Sequence, residues 1–164
     1  MRSNITLLFI FGLMTPVSLM VACWQQSNVA ARGGTLDNFK DLYGAEAIFT
    51  RESRDIAALV KRGEQVATTV NEKAGFRCQS CHRMPGCNAI TGPSFYGVGK
   101  RYAERLGSEL RAKVWLFNKI SEPDAFPGLN SAYFGSGIMF PMKDYYSPTD
   151  IEALVEYLMT LPAE

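Results

Sequence analysis

The chain has 164 residues, of which 47% are hydrophobic, with 17 Lys or Arg set against 16 Asp or Glu. That is enough apolar material for one ordinary core, and a formal net charge of +1 leaves no electrostatic footprint for nucleic acid. A single histidine and four cysteines exclude any centre built on several imidazoles.

At the amino end, Arg2 precedes an apolar stretch from Ile5 to Ala22, interrupted by Thr15, Pro16 and Ser18. This is the pattern of an export signal. It ends Leu19-Met20-Val21-Ala22-Cys23, similar to a bacterial lipobox, so residues 1–22 read as a lipoprotein-type signal peptide and Cys23 as the lipidated residue. Ordinary cleavage nearby, with Cys23 incidental, and an uncleaved membrane anchor are the alternatives. Each expects the body of the protein outside the cytoplasm, on the periplasmic side. Residues 24–36 are small and polar, with Gly33-Gly34, and read as a tether. Leu36 to Tyr43 and Ile48 to Val60 carry apolar residues at helical spacing, among them Ile56, Leu59 and Val60. Residues 23–60 are therefore expected to be a tether and an N-terminal helical extension that packs on the next domain without chemistry of its own.

The domain itself is expected over 61–164. A helix from Gly63 to Lys73 would end near Gly75, and Ala103 to Ser121 contains a second helical stretch with Leu110, Val114 and Phe117 on one face. The last helix has the clearest signals. Ser147 is its N-cap, Pro148 its first position and Asp150 lies in its first turn. Ile151, Leu154, Val155, Leu158 and Met159 form its apolar face, and Pro162 ends it.

Before Gly92-Pro93 stands Cys78-Gln79-Ser80-Cys81-His82. Two thiols at this spacing can each add across one vinyl group of a haem, and the histidine that follows then supplies the proximal ligand to the iron. A bare Cys-x-x-Cys also fits a dithiol redox site or half a zinc site. Here His82 is the only histidine, Cys23 and Cys87 are the only other thiols, and no alternating strand pattern surrounds the motif. The reading is one covalently attached haem c. A second histidine ligand is impossible within one chain, so methionine leads as the distal ligand.

Cys-x-x-Cys-His after a helix, Gly92-Pro93, and a methionine-bearing loop before Ser147-Pro148-Thr149-Asp150-Ile151 together resemble a class I c-type cytochrome with one haem. The resemblance implies an all-α fold, a small cytochrome c-like domain whose helices and loops wrap one covalently attached haem. It implies that the Pro93 carbonyl accepts a hydrogen bond from His82. Met139 lies eight residues before Ser147, where members of the family often carry the distal ligand; Met142 is the alternative. Met84 is too close to His82 to reach the opposite face, and Met159 belongs to the apolar face of the last helix. Tyr96, Tyr102, Trp115 and Arg101 are candidate partners of the haem propionates, against a plainer reading as core or solvated surface.

The implied function is single-electron transfer between periplasmic or membrane-bound redox partners. From Lys73 to Lys119 there are nine Lys or Arg and two Asp or Glu, whereas Ile120 to Glu164 has one Lys and seven Asp or Glu. Such asymmetry makes a dipole, and with Arg77 and Arg83 beside the haem motif it implies an acidic docking patch on the partner. Cys87, with Cys23 lipidated, is expected as a free or intermolecular thiol. No hydrolytic or acid–base constellation is visible. Gly92 to Tyr102, Glu109-Leu110-Arg111 and Tyr157 to Leu161 are similar to the monohaem subunit of thiosulfate-oxidising Sox systems, which implies the alternative of a subunit in a larger oxidoreductase. A five-coordinate gas-sensing haem would require both Met139 and Met142 to fail as ligands.

Overall fold

Ser147 caps the last helix as its position predicts: its hydroxyl accepts from the Asp150 amide at 3.2 Å, and Pro148 opens the first turn. In the computed structural model, which describes residues 39–84, 86, 90–126 and 139–162, five α-helices form. They are α1 (Ala45–Thr50), α2 (Ile56–Thr68), α3 (Val98–Leu106), α4 (Glu109–Ser121) and α5 (Pro148–Thr160). No strand occurs among the described residues, only an isolated bridge between Asn71 and Phe76. The expected signal peptide, Cys23, the tether over 24–36 and Cys87 lie outside the described residues. No helix among those described is long and apolar enough to cross a membrane.

Several helix boundaries differ from the sequence expectation. The helix expected from Gly63 starts at Ile56, because Asp55 accepts from the Ala58 amide at 3.0 Å and caps it there. It ends at Thr68 rather than Lys73. The β-branched run Thr68-Thr69-Val70 disfavours another turn, and Asn71 then folds the chain back, accepting from the Gly75 amide at 2.7 Å with Gly75 at φ 74°. The stretch expected from Ala103 is two helices, α3 and α4. Gly107 at φ 76° ends the first, and Ser108, accepting from the Arg111 amide at 3.1 Å, caps the second. Residues 39–43 are not helical. Asp41 takes the Glu46 amide at 2.9 Å, and the Leu42 amide donates to Asn118 Oδ1 at 2.8 Å.

The centre of the fold is the crossing of α2 over α5. A Cβ added to Gly63 would lie 2.0 Å from the Ala153 carbonyl oxygen, so the two backbones touch at the one residue without a side chain. Gly99 of α3 meets the other end of α5 in the same way, with its would-be Cβ 2.7 Å from Met159 Cα. Trp115, Phe117 and Ile120 of α4 complete the core with Val155 and Leu158 of α5.

Residues before α2 belong to this body. Ala45 and Phe49 of α1 are buried, and Phe49 meets Phe117 edge to face at 6.1 Å. Arg54 donates to Glu152 at 2.9 Å and also to Glu156, while Arg51 reaches Glu152 at 2.7 Å and Lys113 reaches Glu156 at 3.2 Å. The two carboxylates are only 1% and 3% exposed. Glu152 and Glu156 are thus spent inside the fold, while Glu122 and Asp150 are paired nearer the surface. Glu122, Asp150, Glu152 and Glu156 all have cationic partners, which removes them from the acidic pole of the expected dipole.

Candidate haem site

After the Asn71–Gly75 turn, Cys78–Ser80 forms a short 3-10 turn, and the amides of Cys81 and His82 both donate to the Cys78 carbonyl, at 3.2 and 2.9 Å. Both cysteines are half-buried and free, and Cys78 packs against the core. Burial pushes the Cys78 thiol up to about 11, which keeps it neutral. This is the reverse of the depressed thiol of a reactive dithiol site. Among the described residues no three His, Cys, Asp or Glu gather as a metal cluster, so the turn has no zinc partners there.

Three contacts hold the His82 ring. Nδ1 lies 2.8 Å from the Pro93 carbonyl, one face stacks on Phe95 at 4.1 Å, and Gly92 closes against the ring. A Cβ on Gly92 would stand 2.4 Å from Cε1, so this wall exists only because residue 92 is glycine. The Gly92 amide in turn donates to the Cys81 carbonyl at 2.8 Å, fastening the wall to the turn it faces. Burial pulls the His82 pKa down and the Pro93 hydrogen bond pushes it back up; the net shift is downward. The imidazole is then neutral, Nδ1–H donates to Pro93, and Nε2 keeps its lone pair for a metal. Two thiols and one oriented imidazole nitrogen in a single turn fit the donor set of a thioether-bound haem.

The other residues singled out in the sequence do not gather at one point. Tyr102 stacks on buried Trp115 at 4.3 Å, and burial pushes its hydroxyl up to about 12, where it remains a neutral donor. Arg101 spends donors on the carbonyls of Ser94, at 3.1 Å, and Tyr96, so it clasps the loop behind Pro93. Tyr96 lines a groove of about 240 Å³ with Gln79, Met84 and Tyr157. Met139 is half-buried at the edge of the core. Met142 is 5% exposed and sits in a second 3-10 turn, Met142–Asp144. Between them, Phe140 is 53% exposed and stacks on Phe76 at 5.5 Å, two residues before Cys78. Neither Phe95 nor the Phe76–Phe140 pair was legible beforehand, because isolated aromatics carry no spacing signal.

A helical shell around a Cys-x-x-Cys-His turn with a neutral, pinned histidine defines a c-type haem protein. The family model for cytochrome c matches residues 60–162, and the chain belongs to that family. No curated protein and no solved structure matches it. Family membership carries covalently bound haem c and haem-based electron transfer with redox partner proteins. The segment from Gly92 to Tyr102 is occupied with local structure: Gly92 and Pro93 hold His82, Gly99 admits α5, and Arg101 clasps the loop.

Proposed function

We propose that the protein is a single-haem electron carrier of the exported side of the membrane, in which Cys78 and Cys81 hold the haem and His82 and Met139 ligate its iron. The observation that carries the reading is the His82 ring, held by Gly92, Phe95 and the Pro93 carbonyl, with no hydrogen-bond partner on Nε2 among the described residues. When bound, the haem supplies a ferric–ferrous couple that moves one electron, at a potential that a His/Met pair raises above that of two histidines. The chain's part is positional. A ring pinned in this way would present Nε2 to the iron in one orientation, and a carbonyl on Nδ1–H makes Nε2 a stronger donor.

Met139 is favoured over Met142 by its neighbour. Phe140 lies against Phe76, which draws the start of this segment to the haem turn, whereas Met142 is spent on the core. Tyr102 and Trp115, stacked on each other, offer neutral donors for the propionates, whereas Arg101 already gives donors to the Ser94 and Tyr96 carbonyls. Lys73, Arg77 and Arg83 are exposed around the turn and suit an acidic surface on the partner. A lipid on Cys23, or an uncleaved N-terminal anchor, would keep the carrier at the membrane.

Absorption spectra of the oxidised and reduced haem protein test this, with Met139→Ala and Met142→Ala beside it. The weak far-red band of ferric methionine ligation is expected in the unmodified protein and in Met142→Ala, and absent from Met139→Ala. Loss only in Met142→Ala would exchange the ligand and keep the function. A high-spin unmodified protein that binds carbon monoxide readily would overturn the carrier reading in favour of a gas-binding haem.

A further inference from the structure

The segment that carries both methionines is held from two sides. On one side, Asn71 Nδ2 donates to the Tyr145 carbonyl at 3.2 Å, tying it to the turn before the haem motif. On the other side, Lys143 donates to Glu122 and, at 3.2 Å, to the Tyr43 hydroxyl, which itself donates to Glu122. The Lys143 ammonium also stands 5.8 Å from the Tyr43 ring centre. Tyr43 lies outside the residues matched by the cytochrome c family, so this second fastening comes from a part of the chain that the family does not supply.

Met142 is buried, but packing next to it, under Lys143 and Tyr146, is incomplete. A cavity of about 130 Å³ is lined by Tyr43, Phe117, Ser121, Lys143, Tyr146 and Ile151. One buried hydroxyl there, Ser121 Oγ, finds no hydrogen-bond partner among the described residues, and the Tyr146 hydroxyl has at most Asn71 beside it. Where apolar contact is loose, side-chain bonds at the rim determine where the segment sits.

We infer that residues 39–50 act as a strap, with Tyr43, through Glu122 and Lys143, as a positioning residue for the methionine-bearing turn. The inference rests on methionine ligation for its effect on the iron, and on geometry alone for its effect on the turn. Asp41 and Phe49 anchor the strap to α4, through Asn118 at 2.9 Å and through Phe117, so Tyr43 is presented from a fixed base.

The test uses the full ferric haem protein and Tyr43→Phe, which keeps the ring and removes the hydroxyl, with Lys143→Gln as a second variant. Two signals are followed in mild denaturant: the far-red methionine band and the helical circular dichroism. The expected result is a roughly two- to fivefold larger fraction lacking the band in either variant, with the helical midpoint unmoved. Where the unmodified protein shows the band, equal displacement of both signals, or of neither, overturns the strap. Amide exchange at Tyr145 and Tyr146, whose N–H groups donate to the Met142 carbonyl at 3.0 and 2.9 Å, reads the turn without reference to the iron. Exchange there is expected to quicken by about the same factor while Leu154 in α5 is unchanged. If the unmodified protein lacks the band but exchange still quickens, methionine ligation fails and the strap stands. Unchanged exchange overturns the strap whatever the ligand.

Discussion

The His82 pocket and the seam between residues 39–55 and α5 are held together in opposite ways. The pocket is local. Its parts all lie between Cys78 and Phe95, its bonds are mostly to backbone, and its tightest fit is the space that glycine leaves at position 92. The seam is remote. Arg54 reaches Glu152 and Glu156 across about a hundred residues of sequence and does so with buried charge. A site of the first kind depends on a few residue types at fixed spacing, and one of the second on partners that sequence order does not announce. Chemistry sits in the first; in the second, burial makes the loss of one charged partner costly.

Removing charge from the seam is expected to have the largest effect. Arg54→Ala leaves Glu152 with only the half-exposed Arg51 and Glu156 with only Lys113, and should cost about 3 kcal/mol in chemical denaturation. Arg51→Ala, with a side chain 42% exposed, should cost less than about 1 kcal/mol. Equal costs would mean that burial does not govern this network. Gly63→Ala comes next, at about 2 kcal/mol, because a Cβ 2.0 Å from the Ala153 carbonyl oxygen must push α2 and α5 apart; the better helix propensity of Ala offsets only part of this.

The same contrast explains what the sequence made legible. The haem motif, the Gly92-Pro93 dipeptide and the Ser147-Pro148 helix start each depend on neighbours within a few residues, and each names its own geometry. The all-α fold followed from the family resemblance that those signals carry, together with the apolar spacing of α5. What stayed hidden was pairwise and distant. Gly63 looked like a helix start until Ala153 lay against it, and Arg54 and Glu152 are ordinary surface residue types until the fold buries them. The break at Gly107-Ser108 was visible in principle, since a glycine followed by a good cap is a stop and a start. The helical spacing of the flanking residues obscured it.

Gly92→Ala sharpens the comparison from the pocket side. The added methyl would overlap the His82 ring, so the ring must swing away from Pro93. Expected outcomes are a weakened ligand field in the haem protein, read as growth of high-spin absorption, and little change in the unfolding midpoint of α5. A variant with an unchanged spectrum would show that the pocket tolerates the methyl and that Gly92 is not the wall described here.

The smallest expected effect tests whether exposed charge at the seam's edge follows the same logic as buried charge. Burial raises the Asp150 carboxyl, but the hydrogen bonds from Arg62 and Ser147 outweigh it, and the net shift is below the ordinary 3.8. A carboxyl whose folded pKa is depressed contributes stability in full above its unfolded value, and loses it as pH falls through the folded one. Unfolding midpoints of the unmodified protein and Asp150→Asn should therefore differ by a constant amount at neutral pH, worth under about 1 kcal/mol because Arg62 is more than half exposed. The two should converge only below pH 3.8. Acid titration of the remaining carboxylates affects both proteins alike and cancels in the difference. Convergence already near neutral pH would mean that Asp150 acts through its geometry at the helix start rather than through its charge, and the bridge to Arg62 would then add nothing to the joining of α2 and α5.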